Sequence, residues 1–120
     1  MILNGKKITD IDLEFAKEYL KVDYNDEDVM INTLIFAAKS YINTMLGYKV
    51  EEQFNYADIP DELTIACLLI LAHWFDNRQM QRTGTLGTEM AFAVSAIVNA
   101  HADPFKEGWV VDEVIPGQNQ

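Results

Sequence analysis

The sequence predicts an all-α fold, a small bundle of about four helices. Apolar residues recur every three or four positions in four separate stretches, which is the period of an amphipathic helix. Short polar connections join these stretches, and no βαβ pattern is present. Hydrophobic residues make up 49% of the 120 positions, which is enough for one core. The whole chain, residues 1–120, is therefore expected to be a single helical domain.

The first two helices are expected at about Asp12–Lys21 and Glu27–Leu46. Asp12 or Thr9 is a suitable N-cap for the first helix, because a short polar side chain can accept a hydrogen bond from a free backbone N–H. Asp26 can cap the second helix, and Gly47 is expected to end it. The side chains that recur at helical spacing are Leu13, Ala16 and Leu20 in the first helix and Ile31, Leu34, Ile35, Ala38, Ile42 and Met45 in the second.

Two further helices are expected after a polar linker at Tyr48–Asp58. Pro60 opens the third, over Asp61–Gln79, because its missing N–H costs little there. The fourth is expected over Glu89–His101, after a flexible loop at Thr83–Thr88. Both helices are apolar on most sides, and such a helix is surrounded by other protein. In so small a domain, part of that protein is expected to come from neighbouring subunits.

The two chain ends are expected to be loosely attached. Residues 1–8 are predicted to form an arm, and residues 105–120 a tail. The N-terminus lacks the apolar region of a signal peptide, so none is expected. The longest apolar run, residues 65–72, is shorter than the roughly 20 residues that span a membrane.

The charge and cysteine content argue against several classes of protein. With 19 acidic and 9 basic residues the net charge is −10, whereas nucleic-acid binders need lysine and arginine for phosphate contacts. DNA can still pass such a chain without being bound, because like charges repel. Cys67 is the single cysteine, which excludes an intrachain disulfide and indicates a reducing compartment.

The stretch LAHWFDNR, residues 71–78, is the densest group of chemically versatile side chains. His73 and Asn77 lack a neighbouring nucleophile, since Cys67 lies six positions before His73 on another helix face. A metal site is not expected either, because Asn77 is a poor zinc ligand and His101 belongs to another helix. The sequence therefore predicts no catalytic residue and no metal ligand.

Neither the glycine-containing loop nor the acidic cluster matches a ligand-binding motif. Gly84–Gly87 is too short for a phosphate-binding loop, and no lysine follows it. Asp23–Asp28 lacks the glycine and the final glutamate of a calcium loop, and acidic residues there suit the start of a helix. No cofactor is expected.

The stretch 71–78 fits the polar end of a packed helix. Trp74, Phe75 and Arg78 share one side, so the two aromatic rings are expected in the core. Arg78 is expected to stack on the indole of Trp74 or to pair with a carboxylate from another helix. His73 and Asn77 are expected to form hydrogen bonds between helices or between subunits.

The order of these features resembles the head–tail connector proteins, also called adaptor or head-completion proteins, of tailed bacteriophages and prophages. The resemblance covers roughly residues 9–80. Its motifs are L-x-x-A-K-x-x-L-[RK]-[IV]-D at Leu13–Asp23, A-A-x-x-Y-I at Ala37–Ile42 with a closing Gly47, and H-[WY]-[YF]-x-N-R at His73–Arg78. The C-terminal end departs from the family pattern, because the proline-led short helix and a clear Tyr-Arg pair are missing.

The resemblance implies a structural virion protein without catalysis or cofactor. Such proteins form homo-oligomeric rings of about twelve subunits below the portal protein. There, in the virion neck, they extend the DNA channel and receive a head-closure or tail protein, and DNA passes through without specific binding. Assembly would take place in the cytoplasm of the host bacterium. The residues expected to fix the core or the assembly are His73, Trp74, Phe75, Asn77, Arg78, Tyr41 and Ile42.

Two other functions are compatible with a small helical domain. One is an intracellular protein-interaction or adaptor domain without catalytic activity, which stays monomeric or dimeric. The other is a small hydrolase or metalloenzyme, which the missing motifs disfavour. The assembly state separates the first from a connector ring, and only an enzyme would lose turnover in a His73→Ala variant.

Overall fold

Helices joined by short turns form the whole of the described structure. The computed structural model describes residues 5–77 and 88–102, and no β-strand is present in these ranges. Their α-helices are α1 (Leu13–Leu20), α2 (Asp28–Leu46), α3 (Val50–Gln53), α4 (Glu62–Asp76) and α5 (Thr88–Val98). Short 3-10 helices lie at Ile8–Asp10, Tyr56–Asp58 and Asn99–His101. The predicted all-α class is confirmed.

Helix α1 begins and ends through specific backbone contacts. The Asp12 carboxylate accepts a hydrogen bond from the backbone N–H of Phe15 at 2.9 Å, so the predicted Asp12 cap is confirmed. At the other end Lys21 adopts a left-handed conformation, with φ of 62°. The N–H of Val22 then bonds back to the Lys17 carbonyl at 2.9 Å, which satisfies a carbonyl that the helix leaves free.

Helix α2 lies within one residue of its predicted range. Gly47 ends it with φ of 87°, as expected for a glycine in a left-handed cap. The predicted Asp26 cap is wrong, because Glu27 holds the capping position and its side chain makes no capping bond. Lys17 instead fastens this end to α1, through bonds to Asn25 Oδ1 at 2.7 Å and Asp28 Oδ1 at 2.8 Å.

The predicted linker Tyr48–Asp58 is partly helical. It contains α3 and the Tyr56–Asp58 turn, and Val50 at the start of α3 is buried in the core. Asn43 Oδ1 of α2 accepts the Val50 N–H at 3.2 Å. Val50 and the Asn43 bond hold the start of α3 against α2, and Tyr48 and Phe54 also pack against the core.

Helix α4 forms the centre of the core, between α2, α5 and α1. Nine of its fifteen side chains are buried, as a helix apolar on most sides requires. It ends at Asp76 with Asn77 as its cap, and its predicted extension to Gln79 lies outside the described residues. Helix α5 ends at Val98, where the predicted single helix changes to the 3-10 turn Asn99–His101.

Residues 6–8 are attached to the helices, although the sequence predicts a loose arm there. The hydroxyl of Thr64 donates to the Lys6 carbonyl at 2.7 Å. Lys7 Nζ donates to the Ile59 carbonyl at 2.7 Å and to Asp61 Oδ1 at 2.8 Å, and Ile8 is buried. Lysine can reach these acceptors because its aliphatic stem packs on apolar surface while its ammonium group stays polar.

The C-terminal end of the described chain lies at the same end of the bundle. The Tyr48 hydroxyl donates to the His101 carbonyl at 2.7 Å. His101 Nε2 lies 3.8 Å from Glu62 Oε1, next to the Asp61 that Lys7 contacts. Both ends of the described structure therefore meet at the start of α4. The predicted tail and loop, and residues 1–4, lie outside the described ranges.

Candidate assembly surface

The aromatic contact between α4 and α2 is buried. The Trp74 side chain is only 2% exposed, and its indole meets Tyr41 edge-on, with ring centroids 5.8 Å apart and planes at 81°. This geometry is favourable, because the positive ring edge faces the negative ring face. The motif residues Tyr41 and Trp74, distant in sequence, are thus joined in one contact.

The polar residues of the same stretch serve the end of α4. Asn77 Nδ2 donates to the His73 carbonyl at 2.7 Å, and the Asn77 backbone N–H bonds the same carbonyl at 3.1 Å. The amide of Asn77 therefore caps its own helix. The His73 side chain is half-buried and forms no hydrogen bond within the described part of the chain.

The remaining predicted residues fall into two groups. Ile42 and Phe75 are buried in the core of this chain. Arg78 lies outside the described residues, so its stacking on Trp74 stays a prediction. The roles of His73 and Asn77 between subunits also stay predictions. What the structure brings together is the contact of Tyr41 on α2 with Trp74 on α4, while Ile42 and Phe75 belong to the same hydrophobic core.

Large apolar side chains stand exposed on two other helix faces. On α2, Val29 is 81% and Phe36 is 75% exposed. On α5, Phe92 is 77% exposed, and Ala93 and Ala96 beside it are exposed too. The exposure of Phe36 could have been predicted from sequence, because Phe36 lies between the buried positions of the α2 stripe and so faces outward.

A groove runs beside Phe36, and we name it the α2 groove. It has a volume of about 280 Å³ and lies between the Ile8–Asp10 turn, α2 and α3. Ile8, Phe36 and Val50 give it apolar walls, and Lys39, Ser40 and Glu51 add polar groups. Its mixed lining suits contact with protein side chains more than it suits a tightly held small molecule.

Hydrogen bonds next to the α2 groove shift two pKa values. The pKa of Asp10 is lowered, because its carboxylate accepts the Lys7 backbone N–H and the Tyr56 hydroxyl, with Lys6 and Lys39 nearby. The pKa of Tyr56 is raised, since its hydroxyl donates to the Asp10 carboxylate. Lysines therefore gather at this end of α2, in a chain that is acidic as a whole.

Chemically reactive groups are sparse in the described ranges. Burial raises the pKa of Cys67 to about 12, so its thiol stays protonated and unreactive at neutral pH. Within residues 5–77 and 88–102, no group of three or more His, Cys, Asp or Glu side chains is placed to hold a metal ion. No helix in these ranges is both long and apolar enough to cross a membrane.

Comparison with known proteins gives a match to a protein family. No curated protein and no solved structure shows a significant match to the chain. The family model described as phage gp6-like head-tail connector protein matches residues 10–102. The match spans all five α-helices, including the contact between Tyr41 and Trp74. The chain therefore belongs to the phage gp6-like head-tail connector protein family.

Proposed function

We propose that this protein assembles into a homo-oligomeric ring at the portal vertex of a phage head. There it connects the DNA-filled head to the tail and extends the DNA channel. Family membership supports the coarser role, a structural connector in the virion neck. The ring, of about twelve copies, and its place below the portal are the proposal itself.

The uncovered apolar surface is the observation that carries the proposal. Phe36 and Phe92 are each at least three-quarters exposed, although the burial of an aromatic side chain away from water is energetically favourable. Single exposed apolar residues are common on any protein. Here they stand on two different helices, and each shares its helix face with a further exposed apolar residue, Val29 on α2 and Ala96 on α5.

Two different exposed faces suit a ring better than a symmetric dimer. A two-fold dimer joins one face to itself, whereas head-to-tail contacts join two unlike faces and close into a ring when the rotation fits. The end of α4 has a supporting role in this proposal. Tyr41, Ile42, Trp74 and Phe75 hold α2 against α4, and the outer face of α2 depends on that packing.

The charge of the chain suits a channel for DNA. With a net charge of −10, the protein repels phosphate groups, so a DNA duplex can slide past without being held. In this proposal no catalytic residue and no cofactor take part. The portal protein and a head-closure or tail protein bind on either side, and the ring forms in the cytoplasm of the host bacterium.

The assembly state tests the proposal. Native mass spectrometry and negative-stain microscopy would be applied over a range of concentrations, with and without the portal protein from the same phage genome. We expect ring-shaped particles with a central opening, formed by the chain alone or on the portal. A duplex DNA of mixed sequence should show no binding at physiological salt.

The alternative function makes the opposite prediction in the same experiment. An interaction domain that stays monomeric or dimeric would give no ring at any concentration. A chain that stays monomeric and also fails to bind the portal complex would contradict the connector ring. A turnover activity lost in His73→Ala would point to the enzyme instead.

A further inference from the structure

We propose that Phe92 of one copy inserts into the α2 groove of the neighbouring copy. The occupant of the groove is therefore a second copy of this chain, and the contact forms the seam between subunits. This inference rests on the proposed ring and specifies which surfaces build it. It assigns a binding partner to the two exposed faces that the single chain leaves uncovered.

Phe92 projects from the outer face of α5. Phe92 extends from the helix beside the small residues Ala93 and Ala96, which are both exposed. Small neighbours let another surface approach the helix closely, so the aromatic ring can be buried to its full depth. A large rigid side chain of this kind is typical of the residues that carry most of the binding energy at an interface.

The α2 groove has the size and lining that such a projection requires. Cavities of about 150 Å³ accept a benzene molecule, so the groove of about 280 Å³ has room for a phenyl ring. Ile8 and Val50 form its buried apolar floor. Phe36 stands at its side and can meet the incoming ring edge-on, which is a favourable aromatic contact.

The distribution of charge shows why a second copy fits here. Two chains that each carry a net charge of −10 repel each other over most of their surfaces. Residues 90–102 contain no Asp, Glu, Lys or Arg, so beyond Glu89 in its first turn the outer face of α5 adds no charge to this repulsion. In the groove, Lys39 and Glu51 are one positive and one negative group, and lysines gather around Asp10 beside it. These two faces are where acidic copies can approach.

Cysteine cross-linking tests the contact directly. Cys67 is fully buried, so it does not interfere with disulfide formation between new surface cysteines. Ser40→Cys places a thiol in the groove, and Ala96→Cys places one beside Phe92. Mixing these two single variants under mild oxidation should give a disulfide-linked dimer of one of each. A Ser40→Cys and Glu18→Cys mixture is the control, since Glu18 is exposed on α1, away from α5.

Substitution of the projection gives a second measurement. Phe92→Glu should weaken subunit association by about tenfold or more, as loss of a central interface aromatic does. The unfolding midpoint of the monomer should stay unchanged, because Phe92 is exposed there. Ile65→Glu adds the same charge at an exposed apolar position on α4, outside the groove lining and outside both proposed faces, and should weaken association less.

The outcomes separate this inference from the proposed ring. Rings that form in the wild type but give no specific cross-link between positions 40 and 96 would overturn the seam and leave the ring intact. Equal loss of assembly in Phe92→Glu and Ile65→Glu would also overturn it, because charge alone would then explain the effect. A wild-type chain that forms no ring, alone or with portal, would overturn both.

Discussion

Trp74 joins the central helix α4 to α2. Its indole is almost fully buried and meets the ring of Tyr41 edge-on. Phe92 is also aromatic and also lies on an apolar helix, yet most of its surface is exposed. The two residues therefore have opposite functions. Trp74 stabilises the single chain, whereas Phe92 is available to a neighbour.

Truncation of Trp74 should strongly destabilise the fold. Trp74→Ala removes a buried indole and its contact with Tyr41, so the free energy of unfolding should fall by about 3–5 kcal/mol. Urea unfolding of the monomeric chain, followed by circular dichroism, measures this loss. Phe92→Ala is the matched control and should change the monomer little. A stable Trp74→Ala variant would refute the core assignment.

The bond between Tyr56 and Asp10 should give a pH-dependent contribution to stability. The folded-state pKa of Asp10 lies below its ordinary value of 3.8, first because of the Lys7 N–H and then because of Tyr56. Such a group stabilises the fold above its unfolded pKa, and the effect is lost as the pH falls through the folded pKa. Tyr56→Phe should therefore be destabilising near neutral pH and progressively less so below about pH 4.

Unfolding experiments at several pH values measure this difference. Tyr24→Phe is the control. The exposed Tyr24 hydroxyl lies 3.3 Å from a Glu27 carboxylate oxygen, which is longer than an ordinary O–H···O hydrogen bond, so this bond is weaker. A Tyr56→Phe difference that stays constant from neutral to acidic pH would show that the bond does not depend on the charge of Asp10.

At the scale of the elements, left-handed residues end the two N-terminal helices. Lys21 ends α1 and Gly47 ends α2, both with positive φ. Glycine reaches this conformation without steric cost, whereas a side chain with a Cβ atom is strained there. The turn after α2 matters most, because it directs the chain into α3 and the wall of the α2 groove.

Replacement of Gly47 should therefore destabilise the protein. Gly47→Ala should cost about 1–2 kcal/mol, which is the cost of the left-handed conformation for an ordinary residue. Gly47→Asn should cost less, since asparagine tolerates this region. Thermal unfolding of the two variants beside the wild type measures both values. Equal stability of Gly47→Ala and wild type would mean that the turn changes shape at no cost.

Helix positions could be predicted from sequence where apolar spacing and caps agree. The apolar spacing agrees with the Asp12 cap of α1 and with the Gly47 end of α2, and the predicted ranges differ from the observed ones by about one residue at the ends. The helical turns in Tyr48–Asp58 could not be predicted, because Val50 holds them in place by packing into a core that other helices form. The attachment of residues 6–8 likewise depends on partners more than 50 positions away.

At the scale of the whole molecule, acidity and apolar surface oppose each other. The net charge of −10 keeps copies apart, while Val29, Phe36 and Phe92 favour contact between them. The balance between the two depends on the ionic strength, because salt screens charge repulsion and leaves apolar contact intact. Assembly is thus expected to respond to salt in a defined direction.

Raising the salt concentration should strengthen assembly. The Debye length falls from about 30 Å at 0.01 M to about 10 Å at 0.1 M ionic strength, which removes most of the repulsion between neighbouring copies. Analytical ultracentrifugation from low to moderate NaCl concentration should therefore show tighter association. Dissociation on adding salt would instead mean that ion pairs carry the interface.

The candidate site shows a different limit of sequence reasoning. The motif residues Trp74 and Phe75 are buried, and helical spacing alone puts them on one side of an apolar helix. The exposed face of α5 could not be identified, because apolar residues on nearly every side leave no stripe to mark the outside. Only the packing of α5 on α4 decides that Val94 and Val98 point inward and Phe92 points outward.

The meeting of the two described chain ends at the start of α4 has a consequence for labelling experiments. Lys7 and His101 reach the neighbouring residues Asp61 and Glu62, so one label at the start of α4 marks the place where both ends of the described residues meet. In a rotationally symmetric particle, fluorescent labels at this position would all lie in one plane and at one radius. The spacing between such labels would report the number of copies without an image of the particle.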